Sequence, residues 1–482
     1  MPKAEKQIFI LILIFSLIRL IVAPFFGLGV DEAHYVLYAR YLDWSYLDHP
    51  PLVGWLHAPF YYIFGANEFL ARLPAVLLFA ATSWCCYLFI LKITQSVRWS
   101  LWSVLALNCS FMLNALGLML LPDSILLLLV FPLIFVAQRL TRDKRPLDFI
   151  FLGIILGLMG LAKYTAILLV PPLLVFFLMK KRYDVIFSPY MFLAAAIAFV
   201  LIMPVIYWNV THDFISFRYQ GSHVFGSLAS SVEYFFVSIA AQFGAYSPFL
   251  FVVAVYGFMK ALRDRNDYLR LAVLFGGTIL VFFMITSVYE RTLPHWPSIF
   301  YLLFIPIGTY HLLSSQKKWQ RTILHISVAV SLVGMLLAYT ELAGKFIPFY
   351  PDYQTPFRDI YGYPEMAAGA DDIVKQNTSS RPKALAVTNW TMGSRVIYYS
   401  IPYGHDVFVM DLRRDQFDIW QTKSPQGYDL LFLNTKFENM DVARFLSCDR
   451  VDVAGRQDMK INGSKVNSVE YVWCRNYQGV KK

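Results

Sequence analysis

The sequence predicts a polytopic α-helical membrane protein that ends in a small C-terminal α/β domain. Three observations carry this. Of the 482 residues, 57% are hydrophobic and only 15% are charged, whereas an ordinary soluble domain is roughly a quarter charged. So few charges do not cover a water-facing surface, which excludes a soluble cytosolic enzyme. Up to residue 340, apolar runs alternate with short polar loops, and a bilayer core needs about 20 apolar residues per helix. From residue 341 onward the apolar runs shrink to strand length.

About eleven transmembrane helices are predicted, at 8–24, 69–91, 100–117, 121–138, 147–162, 164–179, 189–207, 233–259, 271–288, 296–313 and 322–340. The 11 Trp, 30 Tyr and 41 Phe suit aromatic belts at the two interfaces. The net charge of +10 resolves by position. Residues 1–340 hold 24 of the 42 Lys and Arg, and 15 of the 32 acids. With the N-terminus cytoplasmic, 18 of those 24 cations fall in inner segments, at 3–6, 92–98, 139–145, 180–182, 260–270 and 317–321. The positive-inside rule then puts loops 25–68, 117–123, 208–232 and 289–295, and the whole tail, outside. The basic excess is an orientation signal and calls for no nucleic acid. The first span has basic flanks like a signal peptide, but no small-residue cleavage site, and more spans follow; it reads as a retained helix. Six cations are not explained by orientation: Arg19, Arg40, Arg72, Lys163, Arg218 and Arg291. They are functional candidates, beside the plainer reading that they snorkel or pair with a nearby acid.

The predicted domains are therefore 1–340, a transmembrane domain with the first outer loop at 25–68, and 341–482, an outer soluble domain. Tail strands are expected at Ala384–Thr388, Val407–Met410, Leu430–Leu433 and Ser468–Trp473. Helices are expected at Pro364–Lys375 and Asp441–Leu446, with Gly344–Tyr363 as the linker. Cys448 and Cys474 both lie in the tail. They either pair in an oxidising compartment or are two separate core residues. Cys85, Cys86 and Cys109 lie in spans and read as packing residues.

The outer loops hold the chemistry. The first carries an acid pair, Asp31-Glu32, then His34, Arg40 and the turn Asp48-His49-Pro50-Pro51. Its run 33–44 has an aromatic stripe and suits a helix in the interface, and the prolines then bend the chain. Asp123 sits in the Leu-Pro-Asp turn between two spans, and Lys163 at the next outer mouth. The 207–220 stretch brings His212, Asp213 and Arg218, and 290–297 brings Glu290, Arg291 and His295. Each loop alone reads as an ordinary interface loop. Together they describe an outward polar site able to hold a lipid phosphate with Lys and Arg.

The loop DEAHYVLYARYLDWSYLDHPPLVGWL resembles the signature of the bacterial polyprenyl-phosphate-sugar glycosyltransferases of the GT-C class, relatives of the protein O-mannosyltransferases and of the lipid A aminoarabinose transferase. Supporting motifs occur in that family's order: FLARLP at 69–74, LPD at 121–123, LAKYT at 161–165, YWNVTHDFISFRYQ at 207–220, and PHWP at 294–297. FRDIYGYPEMA at 357–367 and RRDQFDIW at 413–420 are similar to its outer domain. The resemblance implies a GT-C fold in a bacterial inner membrane, with the tail in the periplasm. It implies transfer, with inversion, of a sugar from a polyprenyl phosphate, undecaprenyl phosphate, to an envelope acceptor. Lipid A or another envelope glycan is preferred; a protein acceptor, as in O-mannosylation, is the alternative.

Under that resemblance Asp31 matches the catalytic acid and is the expected base. Glu32 positions it or the acceptor, and Asp123 matches the second acid. Arg72, Lys163, Arg218 and Arg291 are the expected donor-phosphate ligands, with His49 and His295 as neutral or protonated donors. The aminoarabinose branch has Lys before the first Pro of the turn. Here His49 stands there, only partly charged near neutral pH, which moves the chain away from that exact specificity. Asp48 and His49 are also candidate ligands of a divalent metal, two of the three or more that a site requires. A polyprenyl-lipid flippase also needs many spans, but internal repeats and broken midplane helices are not evident.

Overall fold

The computed structural model describes residues 3–225, 231–347, 351–355, 358–411, 413–438 and 440–481. Among these, six helices are long and apolar enough to cross a membrane: Glu5–Phe25, Glu68–Thr94, Pro122–Leu140, Pro189–Thr211, Asp267–Thr286 and Lys318–Gly344. Three shorter apolar helices occupy Pro146–Ala162, Tyr164–Met179 and Ser298–Leu313. Proline starts many of these segments, at Pro122, Pro146, Pro189 and Pro248. Its missing N–H costs nothing in the first turn and its fixed φ suits a helix start.

Two predicted spans differ from the observed helices. The 233–259 run is two helices, Val232–Ala245 and Pro248–Ala261, bent by 107°. Pro248 disfavours helix in the residue before it, and Ser247 takes a left-handed φ of 70°. The 100–117 run is also broken, into Val97–Cys109 and Phe111–Leu116, by an extended Ser110. The break serves a buried charge. Arg19, 1% exposed, donates to Asn108 Oδ1 at 2.8 Å and Asn114 Oδ1 at 2.7 Å, and lies over the Phe79 ring. Side chains flanking the break thus both accept from one guanidinium nitrogen of the first span.

The chain packs as two units. The first comprises Met1–Ile21, Asp43–Val53 and Arg72–Leu337 and is helical. At its centre lies Ser298–Leu313, buried at every residue except His311, as an all-round apolar helix must be. A Cβ on Gly308 would meet the Val253 carbonyl, and one on Gly257 the Phe304 carbonyl. These two glycines let the helices Pro248–Ala261 and Ser298–Leu313 approach closely.

The second unit comprises Val22–Leu42, Gly54–Ala71 and Ala338–Lys482. The two first-loop segments, expected with the membrane domain, therefore group with the tail. The strands are β1 (Lys383–Val387), β2 (Val407–Val409), β3 (Asp429–Thr435), β4 (Leu446–Ser447), β5 (Arg450–Ile461), β6 (Ser464–Arg475) and β7 (Gly479–Val480). A five-stranded sheet runs β2-β1-β3-β6-β5, and β4 pairs with β7. β1, β2 and β3 are parallel; β6 and β5 continue antiparallel. Central β3, with the sequence DLLFLNT, is buried at every residue, as a strand covered on both faces requires. β5 escaped the hydropathy reading because it is a mostly solvated edge. Its signal is the Asn462-Gly463 turn, φ 49° and 86°, where left-handed conformation at both positions makes a tight hairpin. Cys448 and Cys474 form a disulfide beside this hairpin, which selects the paired reading.

Candidate active site

Within the helical unit, five separated motifs meet. The helix Pro122–Leu140 presents Asp123 in its first turn, where the helix dipole favours a carboxylate. Lys163 ends the helix Pro146–Ala162 in an extended conformation. Its Nζ donates to both Asp123 oxygens, at 2.8 and 2.7 Å. The two side chains are only 7% and 5% exposed. His295 Nε2 lies 3.8 Å from Asp123 Oδ2, and His49 is close enough for its charge to be felt at Asp123. LPD, LAKYT, PHWP and the DHPP turn thus converge on one buried group.

The fifth motif holds the turn in place. Asp43 accepts from Trp208 Nε1 at 2.7 Å. The Tyr46 carbonyl accepts from Ser216 Oγ at 2.7 Å, and the Asp48 carbonyl from Gln220 Nε2 at 2.7 Å. Residues 43–48 are therefore pinned by side chains spread over 207–220, which gives that long motif a physical role. The PHWP segment is anchored in turn by Tyr246, whose hydroxyl donates to the Pro294 carbonyl at 3.0 Å. Tyr246 stacks on Tyr301 with ring centroids 3.6 Å apart.

His295 was expected as a neutral or protonated donor. Burial pushes its imidazole down to about 4, against a smaller opposing pull from Asp123. It is therefore a neutral donor at physiological pH. Between pH 6.5 and about 4 the unfolded chain binds a proton at this residue and the folded chain does not, so stability falls as pH drops through that window, by up to about 3 kcal/mol. Thermal unfolding in detergent is expected to show this acid loss in the wild type and a flatter profile in His295→Gln; equal slopes would exclude His295 as the cause.

The remaining candidates lie as follows. Arg72 is fully buried on the helix Glu68–Thr94. The exposed Arg218 donates to the Asp213 carbonyl within its own turn, and the exposed Arg291 lies 5.3 Å from the Tyr234 ring centroid. The described contacts of these last two do not include Asp123, Lys163 or His295. Asp48 and His49 do not complete a metal site: among the described residues no three His, Cys, Asp or Glu side chains cluster to hold a metal ion. The nearby Asp123 carboxylate is already engaged by the Lys163 ammonium, which repels a second cation. Phe357 of FRDIYGYPEMA lies outside the described residues.

Within the second unit, the acid pair begins the helix Val30–Arg40, which starts and ends a few residues before the expected 33–44. Asp31 is half-buried in the first turn. Glu32, 3% exposed, accepts from the Gly29 N–H at 3.0 Å and so fixes the helix start. His34, named in the first loop, had no role assigned to it. It is buried, its Nδ1 is 3.2 Å from Ser394 Oγ, and the rings of Tyr38, Trp390, Phe417 and Trp420 surround it. The Leu28 N–H donates to the Tyr399 hydroxyl at 2.8 Å. The helix Trp390–Ser400 thus grips the acid-bearing segment on both sides of Asp31. The readable sign was the position of His34, one helical turn after Asp31.

A family model described as dolichyl-phosphate-mannose-protein mannosyltransferase matches residues 48–208. The lipid A galacturonosyltransferase RgtD of Rhizobium johnstonii is 24% identical over 273 residues, 54% of this chain and 55% of that protein. The chain thus spans about half the length of this curated relative. ArnT from Cupriavidus metallidurans matches along almost the whole chain. Its apo structure gives a TM-score of 0.64 at 15% identity, covering 98% of each chain. Its undecaprenyl phosphate complex gives 0.65 at 16%, covering 96% of this chain and 97% of that one. The chain thus has the fold of ArnT along almost its whole length, and residues 48–208 match the mannosyltransferase family model.

Proposed function

We infer that this chain is an inner-membrane glycosyltransferase. It moves a sugar from a polyprenyl phosphate, undecaprenyl phosphate, to a periplasmic envelope acceptor, lipid A or another glycan. The observation that carries the reading is the convergence of the DHPP, LPD, LAKYT, PHWP and 207–220 segments around the buried Asp123–Lys163 pair. The RgtD relationship and the ArnT fold support it.

In an inverting transfer the acceptor oxygen attacks the anomeric carbon, the bond from that carbon to the donor phosphate breaks, and the acceptor proton goes to a base. Asp31 is the proposed base, with Glu32 fixing the helix turn that presents it. Charge develops on the leaving phosphate. An ammonium has three N–H groups; Lys163 spends two on Asp123 and offers the third to a phosphate oxygen. Asp123 is then a positioning residue, His295 is a neutral donor beside it, and His49 is a neutral or protonated one. Arg72, Arg218 and Arg291 are kept as further phosphate ligands. The proposed topology is eleven spans with a cytoplasmic N-terminus, residues 1–340 forming the transmembrane domain and 341–482 the periplasmic one. The Cys448–Cys474 disulfide supports an oxidising compartment for the tail.

Protein O-glycosylation is the second reading, favoured by the description of the matching family model. Mass spectrometry of envelope lipids, glycans and proteins, with and without the gene, separates the two. The expected result is loss of one sugar from the lipid or glycan fraction. Loss from protein Ser or Thr selects the second reading. Transfer by the purified chain in detergent excludes a flippase, because transport needs two compartments.

A further inference from the structure

The second unit holds a cavity of about 200 Å³ lined by Arg40, Tyr41, His405, Trp420, Thr422 and Lys423. None of these has a part in the transfer chemistry above. Trp420 is the floor: it stacks on Tyr41 with centroids 4.8 Å apart and meets Tyr38 edge-on at 5.9 Å. Packing therefore fixes the indole before any ligand arrives, and a rigid aromatic face is a ready platform for a sugar ring.

The charges around it are unequal in availability. Lys423 is paired with Asp406 at 2.6 Å. His405 is held by Asp371 at 2.9 Å, and Asp371 also takes Lys375 at 2.6 Å. Arg40 differs. It is half-buried and lies 5.6 Å from the Tyr41 ring centroid. Among the described residues no carboxylate pairs with it. Its place at the end of the helix Val30–Arg40 offsets about half a charge, which leaves a cationic fork facing a polar cavity. Such a fork binds phosphate or carboxylate with two parallel hydrogen bonds.

Arg40 and Asp31 share one helix nine residues apart, so the rise between them is about 13 Å. That distance spans more than a single sugar ring. The rest of the lining comes from the C-terminal α/β fold, whose segments are too short and polar to enter a bilayer. A water-exposed glycan reaches it; a polyprenyl chain does not. We propose that this cavity is an acceptor subsite, in which Arg40 binds an anionic substituent of the acceptor glycan remote from the reacting group while Trp420 stacks against the sugar that bears it. The inference rests on the transferase reading above and adds the place where the acceptor's anionic substituent is read, the Arg40 and Trp420 cavity.

The test uses the full chain in detergent, with phosphorylated lipid A and its dephosphorylated form as acceptors. Arg40→Gln is expected to raise the acceptor KM for the phosphorylated form about 10- to 100-fold, the worth of a charged hydrogen-bonded contact. It leaves the donor KM and the kcat at saturating acceptor unchanged. Arg40→Lys is expected to recover only part of the loss, because an ammonium lacks the fork. With the dephosphorylated acceptor, wild type and Arg40→Gln behave alike. An unchanged acceptor KM, or a raised donor KM, overturns the proposal. Equilibrium binding of the delipidated phosphorylated disaccharide, without donor, is read separately. Loss of binding in Arg40→Gln supports the subsite even if no transfer to lipid A occurs. Equal binding by both proteins, or full competition by inorganic phosphate at the same concentration, overturns it.

Discussion

Replacing Asp31 with Asn is expected to lower the transfer rate about 10²- to 10⁴-fold, the usual contribution of a positioned general base, with the helix that carries it kept. The helix survives because of where Asp31 sits. It is half-buried in the first turn of the helix Val30–Arg40, and Asn is nearly isosteric there and also suits a helix start. The segment is held by other groups: Glu32 on the Gly29 N–H, Leu28 on Tyr399, and His34 on Ser394. None of these contacts needs the Asp31 charge. If the carboxylate takes the acceptor proton, the low-pH limb of kcat/KM disappears in the variant along with the rate. Asp31→Glu keeps the charge but moves it by one methylene, and retains an intermediate rate with the limb still present. Wild-type rates in Asp31→Asn, with circular dichroism unchanged, would remove Asp31 from the chemistry.

The positions of helices and strands were legible where one local pattern decides them. Apolar runs marked the six long helices, and the buried run Leu430–Leu433 marked β3. Where the sequence misled, a longer-range partner decided. The 100–117 run is as apolar as its neighbours, but Asn108 and Asn114 must flank a break to reach Arg19, some 90 residues earlier. The bend in 233–259 was readable from Ser247-Pro248, and hydropathy averaging hid it. β5 is a polar edge strand whose only local sign is the Asn462-Gly463 turn. For the site, residue types were legible and pairings were not. Lys163 was singled out as a phosphate ligand and Asp123 as a second acid, yet nothing in their 40-residue separation said that each is the other's partner. The same holds for His34, whose partner Ser394 lies 360 residues away.

That unforeseen pair gives the second large effect. Lys163→Met alone and Asp123→Leu alone are each expected to destabilise the folded chain by about 3–5 kcal/mol, because each leaves the other charge buried without its counterion. The side chains are 7% and 5% exposed, so solvent does not screen the loss. The double variant removes both charges and is expected to recover most of that stability, since an apolar pair of similar volume often replaces a buried ion pair at no cost. Activity is expected to behave differently. If the third N–H of Lys163 serves the leaving phosphate, the double variant folds and stays about 10²- to 10³-fold slow, the usual cost of losing one transition-state donor. Unfolding midpoints in detergent and transfer rates, measured on all four proteins, form a cycle that splits the two roles. A double variant that recovers both stability and rate would make the pair a structural clamp for the LPD and LAKYT turns. Recovery of stability without rate assigns Lys163 to the phosphate and leaves Asp123 as the residue that holds it charged and in place.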